Sequence, residues 1–324
     1  MSGTRVTVVG TGFVGSAVAH DLRERGVAVH ELHAPRLSPD ECARWSTAPA
    51  DLPDDLVERV SQDLEGADVV VNAAGLPDAS SVDEAALDAA NGWLPVVLAT
   101  AAARAGARRV VHISSAVVQG RRPVLDETPQ TETFSPYSRS KVAGEQRLQA
   151  AGLPGVVVYR PPSVHAVDRR VTRMTTRIAS SPLATVLAPG DQPSPQALLG
   201  NVASAVGHLA TCGSEPPRYV IHPWEGLTSA GLLEVLGGRS PRRVPRPLGR
   251  GVLRLLGAAG RVSPRVGANA RRVEMLWAGQ RQARSWLTED GWVPPLGHRA
   301  WREMGEQVRA TAAGAAPDEG ERRG

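Results

Sequence analysis

A tyrosine stands four residues before a lysine in "FSPYSRSKVAGEQRL", residues 134–148. The segment predicts a helix, and the i, i+4 spacing puts Tyr137 and Lys141 on one face of it. An ammonium beside a phenol favours the phenolate and lowers its pKa. A tyrosine tuned in this way can pass a proton to or from a carbinol oxygen near neutral pH. The spacing alone suits two ordinary residues on a solvated helix equally well. A catalytic pair also needs a third hydroxyl, a cofactor and room for a substrate. "HISSAVVQG" (112–120) supplies Ser114 and Ser115 at the C-terminal end of a predicted parallel strand. Open α/β sheets place their ligands at such strand ends.

A phosphate loop is written near the N-terminus. "VVGTGFVGS" (8–16) contains Gly10-x-Gly12-x-x-Gly15 between a predicted strand and a predicted helix. In a dinucleotide site Gly10 permits the tight turn, Gly12 lets a pyrophosphate approach the backbone, and Gly15 lets the helix pack close to the strand. The helix start, with Phe13 and Val14, then offers N–H groups and a positive dipole end to phosphates. A plain strand–turn–helix with incidental glycines is the simpler alternative. At the end of the second strand, "HELHAPR" puts His33 where NAD enzymes of this kind carry an acid. Glu31 lies two residues early, on the same strand face but too deep to reach the ribose. Arg36 follows closely and suits a 2′-phosphate, so NADP is favoured over NAD.

The elements around these residues alternate as in a parallel α/β sheet. "RVTVVG" (5–10), "VAVHELH" (27–33), "ADVVVNAAG" (67–75), "RRVVHISSA" (108–116) and "GVVVYRPPSV" (155–164) predict strands. The third is almost wholly apolar, as a strand covered on both faces requires. Helices are expected from Val14 to Gly26, over 93–106 and after Ser138. No strand is assigned in 34–60. After 165 the pattern loosens to a helix over 196–210, a strand over 218–223 and short helices broken by glycine and proline. Trp277, Trp286, Trp292 and Trp301 suggest a small core closed by aromatics. The tail 311–324 lacks periodicity and is expected to be disordered.

Composition narrows the class. The 324 residues hold 42% hydrophobic and 22% charged residues, a globular balance with room for one large or two unequal domains. No stretch approaches a membrane span and no leader precedes the first strand, so a cytoplasmic protein is expected. Cys42 and Cys212 lie far apart without metal spacing, which fits unpaired thiols and no metal. The net charge of +4 comes from arginine, but aromatic residues are only 4% and no aromatic–basic stripe suits nucleic acid.

The ordered set GxGFVGS, NAAG, SSxxxxG, YxxxK and RPPSV resembles the extended short-chain dehydrogenase/reductases, the NAD(P)-dependent epimerase/dehydratase family. The likeness is strong over 1–165 and faint to 310. It implies an α/β fold, a Rossmann-like doubly wound parallel sheet with a smaller C-terminal substrate-binding region. The resemblance gives an NAD(P)-binding domain over 1–165 with return elements near 196–223, and a mainly substrate-binding region over 166–310.

The resemblance also implies roles. Ser115 falls on the family's catalytic serine or threonine, and Tyr137 and Lys141 on its catalytic pair. Asn72, Ala73, Ala74 and Gly75 fall beside the cofactor, Asn91 opens the next helix, and Arg160, Pro161, Pro162, Ser163 and Val164 border the nicotinamide. Ser114 is expected to support Ser115 at the cofactor. Three departures stand out: Val9 in place of a first loop glycine, Gln119 where Tyr precedes Gly120 and lines the substrate pocket, and Asn201 in place of an aspartate. "SWLTEDGWVPP" (285–295) and "VPRPLGRGVLRLLG" resemble segments of sugar-nucleotide members.

The family likeness therefore implies reduction or epimerisation of a nucleotide-linked sugar, with 4-keto reduction favoured, and a possible homodimer. The alternatives are a reductase of a non-sugar ketone, sterol-like or polyketide, and a non-catalytic dinucleotide-binding regulator. His112 is expected to be a satisfied core histidine. His165 suits the site border or an exposed loop equally. The arginine run 239–257 is expected to be a solvated face, with a diphosphate clamp as the sharper reading. No nucleic-acid or membrane partner is expected.

Overall fold

Valine-rich runs become strands because β-branched side chains fill a pleated, buried surface. The computed structural model describes residues 3–45, 52–77, 83–262 and 274–314. Its principal strands are β1 (Arg5–Val9), β2 (Ala28–Leu32), β3 (Val69–Asn72), β4 (Arg109–Ile113), β5 (Val156–Arg160), β6 (Thr185–Leu187), β7 (Tyr219–Ile221) and β8 (Arg242–Val244). Its principal helices are α1 (Phe13–Glu24), α2 (Asp54–Asp63), α3 (Leu94–Arg104), α4 (Pro136–Ala150), α5 (Arg170–Ser180), α6 (Leu199–Thr211), α7 (Ser229–Gly237), α8 (Arg246–Val262) and α9 (His298–Gly314).

The chain divides into two units. The first comprises residues 1–163, 199–223 and 283–295. It is built on a six-stranded sheet in the order β7-β5-β4-β3-β1-β2, with every pairing parallel. β3, β4 and β5 are buried along their whole length, whereas β2 is the half-exposed edge, and this explains the polar His30 and Glu31 within it. Helices cover both faces. Val57, Val60 and Leu64 at α2, Val97 and Ala101 of α3 and Leu148 of α4 pack in one core with Val9, Val70, Val110 and Val158. α1 and α6 pack on each other, burying Val18, Leu22, Val206 and Leu209. The strand order reverses between β1 and β3, the place where doubly wound sheets open a crevice at their C-terminal ends.

Three expectations need correction here. The helix expected over 93–106 is the end of a longer helical run, Glu84–Arg104, which starts behind the Asp83 cap. That 21-residue run is long and apolar enough to cross a membrane, contrary to the expectation that no stretch approaches such a span, and 72% of its apolar window is buried inside the fold. Segment 283–295, assigned above to the substrate-binding region, belongs to the first unit. Ser285 donates to the Ile221 carbonyl at 2.6 Å, and Glu127 accepts from the Trp286 and Ile221 amides at 3.0 and 3.1 Å.

The second unit comprises residues 164–198, 224–282 and 296–324. Leu232, Leu233 and Leu236 of α7 pack with Trp301 and Met304 of α9 and Ala179 of α5. A short parallel pair joins β6 to β8. The four C-terminal tryptophans do not form one cluster. Trp286 and Trp292 lie in the first unit, and Trp277 and Trp301 in the second. Trp292 donates to Ser204 at 3.2 Å and Trp301 to Glu225 at 2.8 Å. The expected disordered tail begins no earlier than residue 315, because α9 runs to Gly314, and the rest of it lies outside the described residues.

Candidate active site

The glycine loop forms at the end of β1. Gly10 sits at φ +101°, where side chains are strained, and a Cβ there would lie 2.6 Å from the Ala74 amide. A Cβ on Gly15 would run into the Gly10 carbonyl, so α1 can approach the strand only with glycine at this position. Gly12 differs: a Cβ would meet nothing within 4 Å. It caps α1 without any side-chain hydrogen bond, so open space faces a helix N-terminus that carries Phe13 and Val14. This cradle fits a pyrophosphate. At the end of β2, Glu31 pairs with Arg23 at 2.6 Å, while His33 is exposed and contacts the Thr11 hydroxyl through Nδ1 at 3.1 Å. Arg36 is exposed three residues further on.

The segment after β3 is held from below. The Asn72 Oδ1 accepts from the Ala74 amide at 3.0 Å, and its Nδ2 lies 3.1 Å from His112 Nδ1. Asn72 thus shapes the Ala73–Ala74–Gly75 turn from within the core. Asn91 lies in a π-helical turn, Asp88–Trp93, a distortion common where a helix is bent to serve a site. Its side chain clamps Leu76, accepting from the amide at 3.0 Å and donating to the carbonyl at 3.1 Å, and it also donates to Ser140 at 3.1 Å. Gly75 has φ +148°, and a Cβ there would lie 2.6 Å from Asn91 Oδ1 and 3.4 Å from Lys141 Nζ.

Tyr137 occupies the first turn of α4, whose start is fixed by a capping box between Ser135 and Ser138. Lys141 is one turn on, buried, and its Nζ donates to the Ile113 carbonyl at 3.3 Å. Burial pulls the Lys141 pKa from 10.5 down to about 8, against a smaller upward pull from Glu145. Ser115 caps the short 3-10 turn Ala116–Gln119 by accepting from the Val117 amide at 3.3 Å. β4 and α4 therefore bring Ser115, Tyr137 and Lys141 to the same end of the sheet.

The lysine supplies a stability test. A folded-state pKa below the unfolded value means that the folded chain bears the desolvation cost while both states are protonated. Stability then rises as pH climbs from about 8 towards 10.5. Lys141→Met is expected to unfold at higher urea than wild type at pH 7, by up to about 3 kcal/mol, and to lack that rise. Urea titrations across this pH range check it; an unchanged pH profile would show that the ammonium is not desolvated.

Other expected site residues serve the scaffold. Arg160, expected at the nicotinamide, is fully buried: Nη2 donates to Glu145 Oε2 at 2.6 Å, Nε to Oε1 at 3.1 Å and Nη1 to the Thr128 carbonyl at 2.6 Å. Ser114 donates to the same Glu145 at 2.5 Å, which removes its hydroxyl from the cofactor side. Pro161 is buried and its carbonyl accepts from Ala116 at 2.8 Å, tying β5 to the serine turn, while Ser163 is half-buried. Gln119, expected to line the substrate pocket, is buried and bonded to Asp126 and Gln130. His165 matches neither expectation for it: it is buried in the second unit between Gln196 and Thr172, and burial lowers its pKa to about 4. His112 is a core histidine as expected but only half satisfied, since Nε2 has no partner. Burial, then the Lys141 ammonium, holds its pKa well below the usual imidazole value.

Nothing local marks Glu145 as the anchor of this network, although its i+4 spacing from Lys141 places it on the same helix face. Sequence spacing likewise does not reveal that His208, Cys212 and Asp290 gather their ligand atoms within 4.8 Å. Arg109 Nη1 lies 3.2 Å from Cys212 Sγ, and Asp290 is already bonded to His208 and Ser214, so a cation is disfavoured there.

A glycine loop at the reversal of a parallel sheet, linked through the Ala73–Gly75 turn to Lys141 of the Tyr–Lys helix, fits a dinucleotide-binding enzyme of the Rossmann class. The chain belongs to the NAD dependent epimerase/dehydratase family, whose profile it matches over residues 6–223. No curated protein matches it. Among solved structures it is similar to TunA, a novel NAD dependent NDP-hexosamine 5,6-dehydratase involved in tunicamycin biosynthesis, with 19% identity, TM-score 0.63 and coverage of 95% of this chain and 98% of that one. It is similar to the dTDP-4-dehydrorhamnose reductase of Bacillus anthracis in complex with NADP, with 16% identity, TM-score 0.60 and 96% and 99% coverage. It is also similar to the terminal R domain of the myxalamid PKS-NRPS pathway, with 16% identity, TM-score 0.65 and 97% and 91% coverage.

Proposed function

We propose that this enzyme reduces the keto group of a nucleotide-linked 4-keto-6-deoxy sugar. The observation that carries the reading is the buried Lys141 ammonium, with its pKa near 8, one turn from Tyr137 and beside the strand end that bears Ser115. Relatives that act on nucleotide hexosamines and on dTDP-4-dehydrorhamnose support it. Gly10, Gly12, Phe13, Val14 and Gly15 would hold the pyrophosphate, Ala73 to Gly75 would run beside the dinucleotide, and Tyr137 and Lys141 would hold the nicotinamide ribose. When bound, NAD(P)H supplies the hydride that reaches the carbonyl carbon. Ser115 Oγ orients the carbonyl oxygen, Tyr137 gives it a proton, and Lys141 lowers the phenol pKa so that this transfer runs near neutral pH. Asn91 fixes the turn that carries Gly75.

With Glu31 held by Arg23 and His33 and Arg36 exposed, the end of β2 lacks a free carboxylate for the 2′-hydroxyl and suits a 2′-phosphate, so NADPH is the proposed donor. The test is nicotinamide oxidation against a panel of 4-keto-6-deoxy sugar nucleotides, run with NADPH and NADH on wild type and Arg36→Ala. Turnover with NADPH preferred is expected, and Arg36→Ala should reduce that preference by about tenfold or more. An unchanged preference would remove Arg36 from the reading. Silence across the panel with turnover of uncharged ketones would overturn the sugar assignment in favour of a non-sugar ketone.

A further inference from the structure

The second unit carries charge and apolar surface on residues to which no step of the reaction is assigned. Residues 169–190 hold four arginines and residues 235–273 hold ten, and neither stretch contains an acidic or aromatic residue. Large apolar side chains stand in solvent among them. Leu248 and Leu255 of α8 are 62% and 73% exposed, Leu183 is 79% exposed, and Ile178 of α5 is 46% exposed.

Helix geometry sorts these residues. Leu248 and Leu255 are seven apart, two turns along one side of α8. Arg246, Arg250 and Arg254 follow at four-residue intervals as an exposed ridge on the other flank of the helix, about 100° to 180° around its axis from the leucines. The inward side is marked by buried Gly249, where a Cβ would run into Leu187. The leucines stand about 100° to 120° around the helix from that inward side and are largely exposed. α5 repeats the arrangement: Thr172, Thr176 and Ala179 face inward, while Arg173 and Arg177 are exposed beside Met174 and Ile178. The two helices are linked through the β6–β8 pair, where the Arg242 amide donates to the Ala184 carbonyl at 2.8 Å, one residue from Leu183.

We propose that this arginine–leucine face of the second unit docks on the surface of an anionic lipid bilayer. A basic amphipathic helix with exposed leucines lies in the headgroup plane, its apolar side chains reaching the acyl boundary and its arginines pairing with lipid phosphates. Nucleic acid would use the arginines but leave the leucines in water, and neither of the two arginine-rich stretches contains an aromatic residue for base stacking. A soluble diphosphate is equally unable to cover Leu248 and Leu255. This association is independent of which carbonyl the enzyme reduces.

Flotation of the purified full-length chain tests it, using vesicles of phosphatidylcholine with about one-third phosphatidylglycerol and vesicles of phosphatidylcholine alone. Co-flotation is expected only with the anionic vesicles and is expected to weaken as salt rises. Each arginine at such a surface is worth about fivefold in partitioning, so R246Q/R250Q/R254Q should lower it about 100-fold. L248S/L255S, at unchanged charge and in exposed positions, should lower it by about tenfold or more, whereas L248F/L255F should retain it. Circular dichroism melts of each variant establish that it is folded. Absence of flotation at low salt would overturn the proposal. So would sensitivity to the arginine changes without sensitivity to L248S/L255S, or binding of a mixed-sequence oligonucleotide that outcompetes the vesicles.

Discussion

Tyr137→Phe is expected to lower turnover of the proposed ketosugar substrate by about 10²- to 10⁴-fold while leaving dinucleotide binding nearly intact. The range is what a positioned proton donor contributes. Phenylalanine keeps the ring and therefore the packing of the half-buried first turn of α4. The glycine cradle, which would carry the phosphates, is remote in sequence from the change. Steady-state kinetics and a titration of NADPH binding separate the two effects. The same chemistry gives a pH expectation. As pH rises through about 8, Lys141 loses its charge and no longer favours the Tyr137 phenolate, so wild-type activity should fall above that value. Equal turnover by Tyr137→Phe and wild type would dismiss the catalytic assignment.

Glu145→Ala is expected to destabilise the first unit by about 3–5 kcal/mol. The change removes both carboxylate oxygens that accept from the fully buried Arg160, leaving it the Thr128 carbonyl, and also removes the acceptor of Ser114. An uncompensated guanidinium in the core costs far more than the intact pair contributes. E145L/R160M removes both charges together and should recover most of the loss, because hydrophobic groups of similar volume replace a buried ion pair at little net cost. Urea midpoints of the three chains decide it. If the double change is as unstable as the single one, the loss comes from packing around α4 and not from an orphaned charge. Because Ser114 adjoins Ser115, Glu145→Ala should also loosen the serine turn and lower kcat more than it raises KM.

Much of the site could be found in the chain order. The glycine spacing marks the cradle because only residues without a Cβ fit where Gly10 meets Ala74 and Gly15 meets the Gly10 carbonyl. The i, i+4 spacing of Tyr137 and Lys141 is local, so a helix places them together without long-range information. Arg160 and Gln119 went astray for the opposite reason. Their partners Glu145 and Asp126 lie 15 and 7 residues away, and only packing decides whether a polar side chain at a strand end turns into the core or towards a ligand. His165 shows the same limit: a histidine after a strand has no local mark that tells burial from exposure.

The order of amino acids alone settles the periodic part. Valine runs and interposed amphipathic helices, broken by glycine, settle a parallel sheet and the strand end where Ser115 stands, since burial on two faces requires continuous apolar strands. The tertiary structure decided how the chain returns. Segment 283–295 joins the first unit through Glu127 and Ile221, a choice made by buried hydrogen-bond partners more than sixty residues away. The tertiary structure also decided which charges are spent. Glu145 and Arg160 satisfy each other in the core, while Lys141, desolvated beside a backbone carbonyl, is left with the lowered pKa that suits it to Tyr137.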